Sequence, residues 1–377
     1  MKNPMKSPRV IAFYLPQFSP TPENDVWWGK GFTEWTNVAK GKPQFKGHYQ
    51  PHIPADLGFY DLRLSEVREE QAALAKSHGV TGFCYYHYWF HGRRMLESVF
   101  EEVLSSGKPD LPFCLCWANE TWRKTWNKGQ NEILIEQTYS ESDDEEHIKY
   151  LANVFKDPRY IRVNGRPLFV IYRPEMIEGR VERMLEIWNR HLQSIGIPEL
   201  YLCSVRTPPL PGFEASVDFY PPKSLDTSIF DKVKWKLRQI FSKNKPFVRR
   251  EYRDVVSREI AKPYPDYKTF FCPVPNWDNS ARRSFGGAFI LNGSSPDEFR
   301  RWFNHCVKET VKRLKGEERI VFINAWNEWG EGAHLEPDQK WGSAYLEVIR
   351  DVLGSANEFG SLGESSPQTF EPADEAA

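Results

Sequence analysis

Eight short apolar runs, rich in β-branched and aromatic residues, recur along this chain, and helical patterns separate several of them. The runs are Val10–Phe18, Val80–Tyr88, Pro112–Asn119, Leu168–Arg173, Leu200–Val205, Ser216–Tyr220, Thr269–Val274 and Ile320–Ala325. Runs that are apolar throughout, such as 320–323, are typical of strands buried on both faces of a parallel sheet. Strands that alternate with helices indicate βαβ units, and eight strands favour closure into a barrel over an open doubly wound sheet. The sequence therefore predicts an α/β fold, a (β/α)8 TIM barrel.

Five helical patterns lie between these runs, and several of their ends carry capping residues. The predicted helices are Leu62–His78, Met95–Ser106, Asp143–Phe155, Val181–Ile195 and Ser295–Leu314. Three of them end before a glycine, which suits the left-handed residue that commonly closes a helix. The last begins with Ser-Pro-Asp-Glu, a capping signature. Because no GxGxxG follows the first strand, a dinucleotide-binding fold is a weaker alternative.

Two stretches interrupt this alternation. The chain has 377 residues, whereas a barrel of this kind needs about 250, so the remainder is available for loops, insertions and tails. Residues 26–59, here called the strand-1 loop, form a long aromatic-rich connection, and loops of this length are typically functional. A basic insertion, residues 226–267, separates strands 6 and 7 and is expected to be partly helical. We predict one catalytic barrel over residues 1–355, with the insertion at about 223–267, and a flexible acidic tail over residues 356–377.

Charge and hydropathy limit the expected partners and compartment. The 50 basic and 51 acidic side chains give a formal net charge of −1, which offers no nucleic-acid footprint. The run Lys232–Arg253 is basic, and both a solvated helical face and a surface that binds an anion or a membrane fit it. The chain lacks an apolar run of about 18 residues and an N-terminal apolar signal segment, so we expect no transmembrane helix and a cytoplasmic location. The sequence does not specify the oligomeric state.

Neither the cysteines nor the histidines show the spacing of a metal site. The six cysteines fall mostly within apolar, strand-like runs, and we expect buried free thiols. No HxH or HExxH motif surrounds His87 or His334, so we expect no catalytic metal and no cofactor. For His87, a structural role and a hydrogen bond to a sugar hydroxyl both remain open.

Aromatic, amide and acidic residues concentrate just past the predicted strands. In a barrel of this type the C-terminal ends of the strands carry the active site, so these residues are expected to share one rim. Aromatic residues make up 15% of the chain, with 14 Trp and 16 Tyr, and rings that are both apolar and hydrogen-bonding suit a sugar cleft. The candidate substrate-binding residues are Tyr14, Trp35, Tyr86, His87, Trp117, Asn119, Glu120, Tyr172, Trp277, Asp278, Arg282, Trp326 and Asn327.

The segment 324–331 after strand 8, Asn-Ala-Trp-Asn-Glu-Trp-Gly-Glu, contains two nearby carboxylates. Glycoside chemistry needs a proton donor for the leaving oxygen and a second carboxylate that acts as base or nucleophile. Glu328 and Glu331 can face one cleft because the glycines at 330 and 332 let the chain turn, and the adjacent tryptophans offer apolar walls that raise a carboxyl pKa. Two surface glutamates on a loop are the alternative. Glu120 is the rival for a catalytic role, and we expect it to bind substrate instead.

Seven stretches between residues 10 and 350 resemble the WbsX-like family, which is related to glycoside hydrolase family 99, the endo-α-mannosidases and endo-mannanases. The stretches are Tyr14–Phe18 (YLPQF), Trp27–Asn37 (WWGKGFTEWTN), Gly47–His52 (GHYQPH), Tyr85–Phe90 (YYHYWF), Trp117–Glu120 (WANE), Asn276–Asn279 (NWDN) and Trp326–Glu331 (WNEWGE). So many long matches in order are specific for WbsX-like proteins, whereas the link to family 99 rests mainly on the barrel and the strand-8 carboxylates.

The link to family 99 implies a retaining mechanism without a covalent glycosyl-enzyme. Glu328 matches the base that removes the proton of the sugar 2-OH, so that O2 attacks C1 and forms a 1,2-anhydro sugar. Glu331 matches the acid that protonates the leaving oxygen and then activates water. The mechanism requires O2 to be trans to the leaving group, as in an α-mannoside or a rhamnose-like unit. The strand-1 loop and the insertion belong to the WbsX side, so the substrate contacts of family 99 do not transfer wholesale.

Three functions are compatible with this pattern. The resemblance favours a retaining glycoside hydrolase, or a transglycosylase, that acts on a polysaccharide. Many WbsX-like proteins are named as glycosyltransferases of bacterial cell-surface polysaccharide (O-antigen) assembly. Such enzymes need a DxD-type acidic pair or a basic phosphate clamp. Asp143–Asp144 fits an acidic pair poorly, and Arg282–Arg283 is a candidate for a phosphate clamp. A non-catalytic carbohydrate-binding barrel would keep the aromatic residues without needing both carboxylates.

Overall fold

Eight parallel strands form the centre of the molecule. A computed structural model describes residues 7–124, 132–177, 179–222, 247–283 and 287–362. The barrel strands β1–β8 are Arg9–Tyr14, Gly82–Phe90, Phe113–Trp117, Arg166–Ile171, Tyr201–Val205, Ala215–Phe219, Thr269–Cys272 and Ile320–Ile323. Each overlaps one of the eight predicted runs. Their side chains are almost all buried, as in β3, where all five residues are inaccessible, because helices cover the outside of the sheet and aromatic rings fill the inside.

The strands are hydrogen-bonded in the order β7-β6-β5-β4-β3-β2-β1-β8, so each strand follows its predecessor around the barrel until β8 returns to β1. The register pairs Arg9 with Ile320 on one side of β1 and Ile11 with Gly82 on the other. At the remaining seam between β7 and β8, the backbone N–H of Asn324 donates to the carbonyl of Pro273 at 3.1 Å. The predicted (β/α)8 barrel is confirmed.

Nine helices accompany the strands in the described residues. In chain order α1–α9 they are Pro22–Trp28, Glu34–Ala39, Ser65–Ser77, Glu97–Ser106, Glu141–Val154, Val181–Ser194, Tyr252–Ala261, Pro296–Arg313 and Ala344–Leu362. All five predicted helices are present, with ends shifted by a few residues. The helix α8 begins as predicted, because the Ser295 hydroxyl accepts from the N–H of Glu298 at 3.3 Å. The helix α4 begins two residues later than predicted, because Arg93–Met95 pairs antiparallel with the end of β2.

Short strands and single-turn helices complete the described secondary structure. The strands are Trp122–Lys124, Glu132–Ile135, Arg162–Val163, Val248–Glu251, Phe289–Asn292, Asn327–Glu328 and Ala333–His334; the 3-10 turns are Pro174–Ile177, Gly316–Glu318 and Trp329–Glu331. Most of these lie in loops that follow barrel strands. They hold those loops over one end of the barrel.

Helices overlap two of the predicted segments, whose bounds stay predictions. The insertion at 223–267 contains α7, Tyr252–Ala261, which is the helix that the β6-to-β7 crossover of a (β/α)8 barrel requires, so only the part before it is additional. Residues 223–246 lie outside the described residues. The tail was predicted to begin at 356, but α9 continues to Leu362, and residues 363–377 lie outside the described part of the chain.

The strand-1 loop folds back onto the loop that follows β8, residues 324–343, here called the strand-8 loop. The backbone N–H of Ala55 donates to Pro337, and that of Gln339 donates to Ile53, both at 2.9 Å. The loop also contains α2, whose first residue Glu34 donates its N–H to Gln17 at 3.0 Å. These bonds bring the first and last parts of the barrel together at the C-terminal ends of the strands.

Two further expectations concern the cysteines and the membrane. All six cysteines are free and buried, as predicted. In the described ranges, every helix is too short or too polar to cross a bilayer.

Candidate active site

A cleft of about 710 Å³ opens at the C-terminal ends of the barrel strands. Both predicted catalytic residues line it, together with five of the thirteen predicted binding residues; the seven are Tyr86, Glu120, Tyr172, Trp277, Arg282, Glu328 and Glu331. The strand-8 loop supplies the glutamates, and the segment after β7 supplies Trp277 and Arg282. The predicted rim therefore exists, with the carboxylate pair in its wall.

Glu328 and Glu331 are held by one guanidinium. Nη2 of Arg282 lies 2.8 Å from Oε2 of Glu328, and its Nη1 lies 2.9 Å from Oε1 of Glu331. The side chain of Glu328 is 7% exposed and that of Glu331 is 22% exposed, so the second faces the open cleft more directly. Two carboxylates are thus fixed side by side in different surroundings, which is the arrangement that separates acid and base roles.

A third carboxylate, Glu34, completes the cluster, and no sequence pattern points to this position. Its Oε1 accepts from Nε of Arg282 at 2.6 Å, and its side chain is fully buried. The close approach depends on Gly330, since a Cβ at that position would lie 1.7 Å from Oε1 of Glu34. Arg282 therefore serves three carboxylates at once and orients both catalytic candidates.

Burial controls the ionisation of this cluster. Removal from water raises the pKa of Glu328 to about 8; Arg282 opposes the rise, and the charges of Glu331 and Glu34 add to it. Burial also raises the pKa of Glu34, although Arg282 again acts against it. Because three carboxylates share one positive charge, the cluster retains a proton near neutral pH.

Asn327 anchors the strand-8 loop to β1. Its Oδ1 accepts from the N–H of Leu15 at 2.7 Å, and its Nδ2 donates to the carbonyl of Leu15 at 3.0 Å. The side chain thereby imitates the next residue of a strand. The backbone then pairs Asn327 with His334, so that Glu328 stands at the start of a tight turn.

Behind the turn, Glu336 collects hydrogen bonds from three other segments. Its carboxylate accepts from Nε1 of Trp329 at 2.6 Å, the hydroxyl of Tyr60 at 2.8 Å and Nε2 of Gln71 at 2.6 Å. Burial raises the pKa of Glu336 to about 7, and these donors lower it. Tyr14 joins the network through Gln71 at 2.7 Å. The network fixes Trp329, the residue between the two catalytic candidates.

Asp278 links the strand-1 loop to the site without lining the cleft. Its Oδ2 lies 2.7 Å from Nε2 of His48 and 2.7 Å from Nε2 of Gln50, and its N–H donates to the carbonyl of Glu331 at 2.6 Å. Burial alone would raise the pKa of Asp278, but the bond from His48 holds the pKa below its usual value. The residue positions loops rather than touching a ligand.

Eight predicted binding residues lie in the walls rather than on the cleft surface. They are Tyr14, Trp35, His87, Trp117, Asn119, Asp278, Trp326 and Asn327. Successive strand residues point to opposite faces, so a residue at a strand end faces the cleft only in part of the cases. These side chains lie behind the cleft surface, and their contact with substrate stays a prediction.

Three of them show how the walls are built. Nε1 of Trp117 donates to the carbonyl of Trp89 at 3.2 Å. Asn119 clamps the ends of β3 and β4, since its amide both accepts from the N–H of Arg173 and donates to its carbonyl at 2.8 Å. His87 is buried against His147, with their Nε2 atoms 2.9 Å apart, which favours the structural reading of His87.

The remaining two wall residues, Trp326 and Trp35, pack below the cleft and beside the turn at Trp329. Trp326 is fully buried, with its ring 5.0 Å from that of Phe83. Trp35 donates its Nε1 to the carbonyl of Tyr60 at 2.7 Å, and its ring lies 5.5 Å from that of Trp329. Trp35 thus packs against the strand-8 loop, and Trp326 buries the first part of that loop against β2.

The exposed walls of the cleft are aromatic and basic. Tyr88 and Trp28 line it with Trp122, whose ring lies 5.0 Å from that of Tyr88. The cleft is also lined by Arg206, Arg123 and Arg283. Among the residues described, no carboxylate lies within ion-pair distance of these three guanidinium groups. A fourth arginine of the cleft, Arg173, pairs with Glu120 at 3.3 Å. Aromatic faces and basic donors suit a polyhydroxylated ligand.

The geometry defines a (β/α)8 barrel with an aromatic-walled cleft that ends in a cluster of glutamates on one arginine. Residues 10–349 match the family described as Glycosyltransferase WbsX. The chain belongs to this family, as the sequence motifs predicted.

Curated relatives of this chain are longer than the chain itself. The uncharacterized protein WxcX of Xanthomonas campestris pv. campestris, in two strains, is 42% identical over 352 residues. The match covers 92% of this chain but 50% of the relative. The chain therefore spans about half the length of the relatives it matches.

Solved structures with the same architecture include glycoside hydrolases. A glycoside hydrolase-like protein superposes with a TM-score of 0.57 at 14% identity, over 92% of this chain and 94% of the other. The family 99 endo-α-mannosidase from Bacteroides thetaiotaomicron gives a TM-score of 0.51 at 15% identity, over 94% and 98% of the two chains. At these identities the likeness shows a shared barrel fold.

Proposed function

We propose that this chain is a retaining glycoside hydrolase that acts on α-linked mannose-like or rhamnose-like units of a polysaccharide. The observation that carries the proposal is the position of Glu328 and Glu331 on one guanidinium in the cleft wall. Glycoside cleavage needs an acid and a base whose environments differ, and here one carboxyl is buried while the other faces the cleft.

The reaction divides into two steps with a 1,2-anhydro sugar between them. In the first, Glu328 takes the proton of the 2-OH, O2 bonds to C1, and the bond from C1 to the leaving oxygen breaks as Glu331 protonates that oxygen. In the second, water attacks C1 and gives its proton to Glu331, while the opened O2 takes back the proton from Glu328. Two inversions at C1 give net retention.

The ionisation of the cluster limits which form of the site is reactive. Burial, with the charge of Glu331, raises the pKa of Glu328 to about 8, so Glu328 acts as the base only in the form in which the proton of the pair lies on Glu331. In that form Glu328 accepts a hydroxyl proton more readily than an ordinary carboxylate. Arg282 then stabilises whichever carboxylate is ionised.

The second candidate function is glycosyl transfer from a nucleotide sugar, which the description of the family favours. Two positions count against it. Arg282 is engaged by three carboxylates, so it is a poor member of a phosphate clamp with Arg283. Asp143 and Asp144 are buried, where Asp143 accepts from Trp89 and Asp144 pairs with Arg180. A non-catalytic barrel is the third candidate, and it gives no reason for gathering three glutamates around one arginine.

The test is sugar release from a panel of bacterial cell-surface polysaccharides and α-linked mannans or rhamnans, with no nucleotide sugar present. We expect release, and proton NMR of the first product should show retention at C1. A matched 2-deoxy substrate should be inert, because the internal nucleophile is missing. Ready cleavage of the 2-deoxy substrate would exclude the anhydro mechanism, and consumption of a nucleotide sugar only when an acceptor is present would assign a transferase.

A further inference from the structure

A second cluster of polar side chains lies behind the strand-8 loop and outside the cleft. His52 comes from the strand-1 loop, and His334 and Asp338 come from the strand-8 loop; all three are buried. Nδ1 of His52 lies 2.9 Å from Nε2 of His334, and that nitrogen lies 3.8 Å from Oδ2 of Asp338. The glycoside mechanism uses none of them.

The other polar atoms of two of these side chains are engaged elsewhere, while the inward nitrogens, Nδ1 of His52 and Nε2 of His334, share a hydrogen bond of 2.9 Å that an ion between them would replace. Nδ1 of His334 lies 2.9 Å from the carbonyl of Glu336, so it carries the proton and Nε2 keeps its lone pair. Oδ1 of Asp338 accepts from the N–H groups of Lys340 at 3.0 Å and Trp341 at 2.6 Å, so Oδ2 is the oxygen directed at the histidines. The same division between an inner ligand atom and an outer hydrogen bond orients metal ligands in proteins.

The spacing of the inward atoms matches a small tetrahedral centre. Zinc binds imidazole nitrogens and carboxylate oxygens at about 2.1 Å, which places tetrahedral ligand atoms roughly 3.4 Å apart. The observed separations of 2.9 and 3.8 Å lie on either side of that value.

A small cavity adjoins the three side chains. Its volume is about 10 Å³, room for one ion or one water, and its wall includes His52, His334, Asp338 and Asn276. Oδ1 of Asn276 is buried, and among the described residues it has no hydrogen-bond partner. An amide oxygen left unsatisfied in a protein interior is destabilising, so it indicates an occupant of the cavity. This oxygen is the candidate fourth ligand.

We propose that His52, His334 and Asp338 bind one divalent transition-metal ion, with zinc as the best match, and that the ion fastens the strand-1 loop to the strand-8 loop. The proposal does not depend on the glycosidase function. It bears on the active site because the ring of His334 stacks on Trp329 at 3.7 Å, directly beside Glu328. The role is structural, since these three ligands do not line the cleft.

The experiment measures metal content by mass spectrometry on untagged protein, purified without chelator and dialysed after incubation with ZnCl2. We expect about one zinc per chain, and a chelator should lower the Tm until zinc is restored. Asp338→Asn should fall to below about a tenth of the wild-type occupancy, because it retains the oxygen that accepts from Lys340 and Trp341 but loses the ligating one. His305→Gln, on the partly exposed face of α8, is the control and should bind as wild type.

A cobalt-loaded sample keeps the proposal testable if Asp338→Asn does not fold. Co2+ in a site with two imidazoles and one carboxylate should give visible d–d absorption that is displaced by one equivalent of zinc, and His52→Gln should abolish it. Wild-type protein that takes up neither metal, with a Tm indifferent to chelator, would overturn the proposal and leave a water in the cavity. Full occupancy in both Asp338→Asn and His52→Gln would overturn it as well.

Discussion

Gly330→Ala is the perturbation that most directly probes how the catalytic cluster is held. The added Cβ would lie 1.7 Å from Oε1 of Glu34 and 2.9 Å from Nε of Arg282. The backbone at Gly330 is not in the left-handed region, so alanine is compatible with it and the conflict lies with the side chains alone. Glu34 is fully buried and has no solvent to move into. Breaking a buried ion pair in this way costs about 3–5 kcal/mol.

The cost translates into a measurable melting shift. For 377 residues the entropy of unfolding is roughly 0.8 kcal/mol/K, so the Tm should fall by about 4–6 °C in a thermal scan followed by circular dichroism. Gly354→Ala is the matched control: no atom lies within 4 Å of its Cβ, and in the exposed face of α9 alanine should hold or raise the Tm. A Gly330→Ala protein that melts within about 1 °C of wild type would refute the buried Glu34–Arg282 contact.

Three other predictions follow from the buried carboxyls. Because the pKa of Glu328 is raised from 4.5 to about 8, the folded state keeps a proton that the unfolded chain releases, and the free energy of unfolding should fall as pH rises from 4.5 to 8. In Glu328→Gln the free energy of unfolding should depend less on pH over this range. An unchanged pH dependence would contradict the raised pKa. Tyr60→Phe removes one donor to Glu336 and should cost about 1–3 kcal/mol in urea unfolding; no loss would mean that the network is dispensable. Asp278→Asn weakens the bond to His48 and should speed hydrogen exchange at residues 44–52, whereas unchanged exchange would show that another contact anchors the loop.

The barrel could be predicted because its evidence is local. Each strand is a short apolar run, as in 320–323, and most helices end at a glycine or begin with a capping residue, which a single sequence displays directly. Composition shows less of the helices that overlap the insertion and the tail. Residues 252–261 are helical but polar and basic, like the rest of the insertion, and the acidic composition past 355 hides the last turns of α9.

The carboxylate pair was predictable from one segment, whereas its partners were not. Glu34 and Arg282 are 248 residues apart in the chain and meet only because the strand-1 loop folds across the barrel mouth. The same holds for Glu336, whose three donors come from residues 60, 71 and 329. Contacts of this kind depend on loop geometry that carries no periodic signal.

The direction in which each strand-end side chain points could not be predicted from the sequence either. Trp117 and Trp326 sit at strand ends, as predicted, yet both are buried in the walls, while Tyr88 and Arg206 reach the cleft. Position along a strand could be predicted from the sequence. The face to which each side chain points required the register, which alternates with every residue.

The central claim is that Glu328 and Glu331 cleave a glycosidic bond. The most direct test measures sugar release from a polysaccharide that the wild-type protein cleaves. It compares Glu328→Gln, Glu331→Gln and Glu120→Gln at equal protein concentration. The first two changes should each lower turnover by at least about 10²-fold, while Glu120→Gln, which lines the same cleft, should affect mainly KM. Turnover near wild type in either of the first two, or its loss in Glu120→Gln alone, would contradict the account.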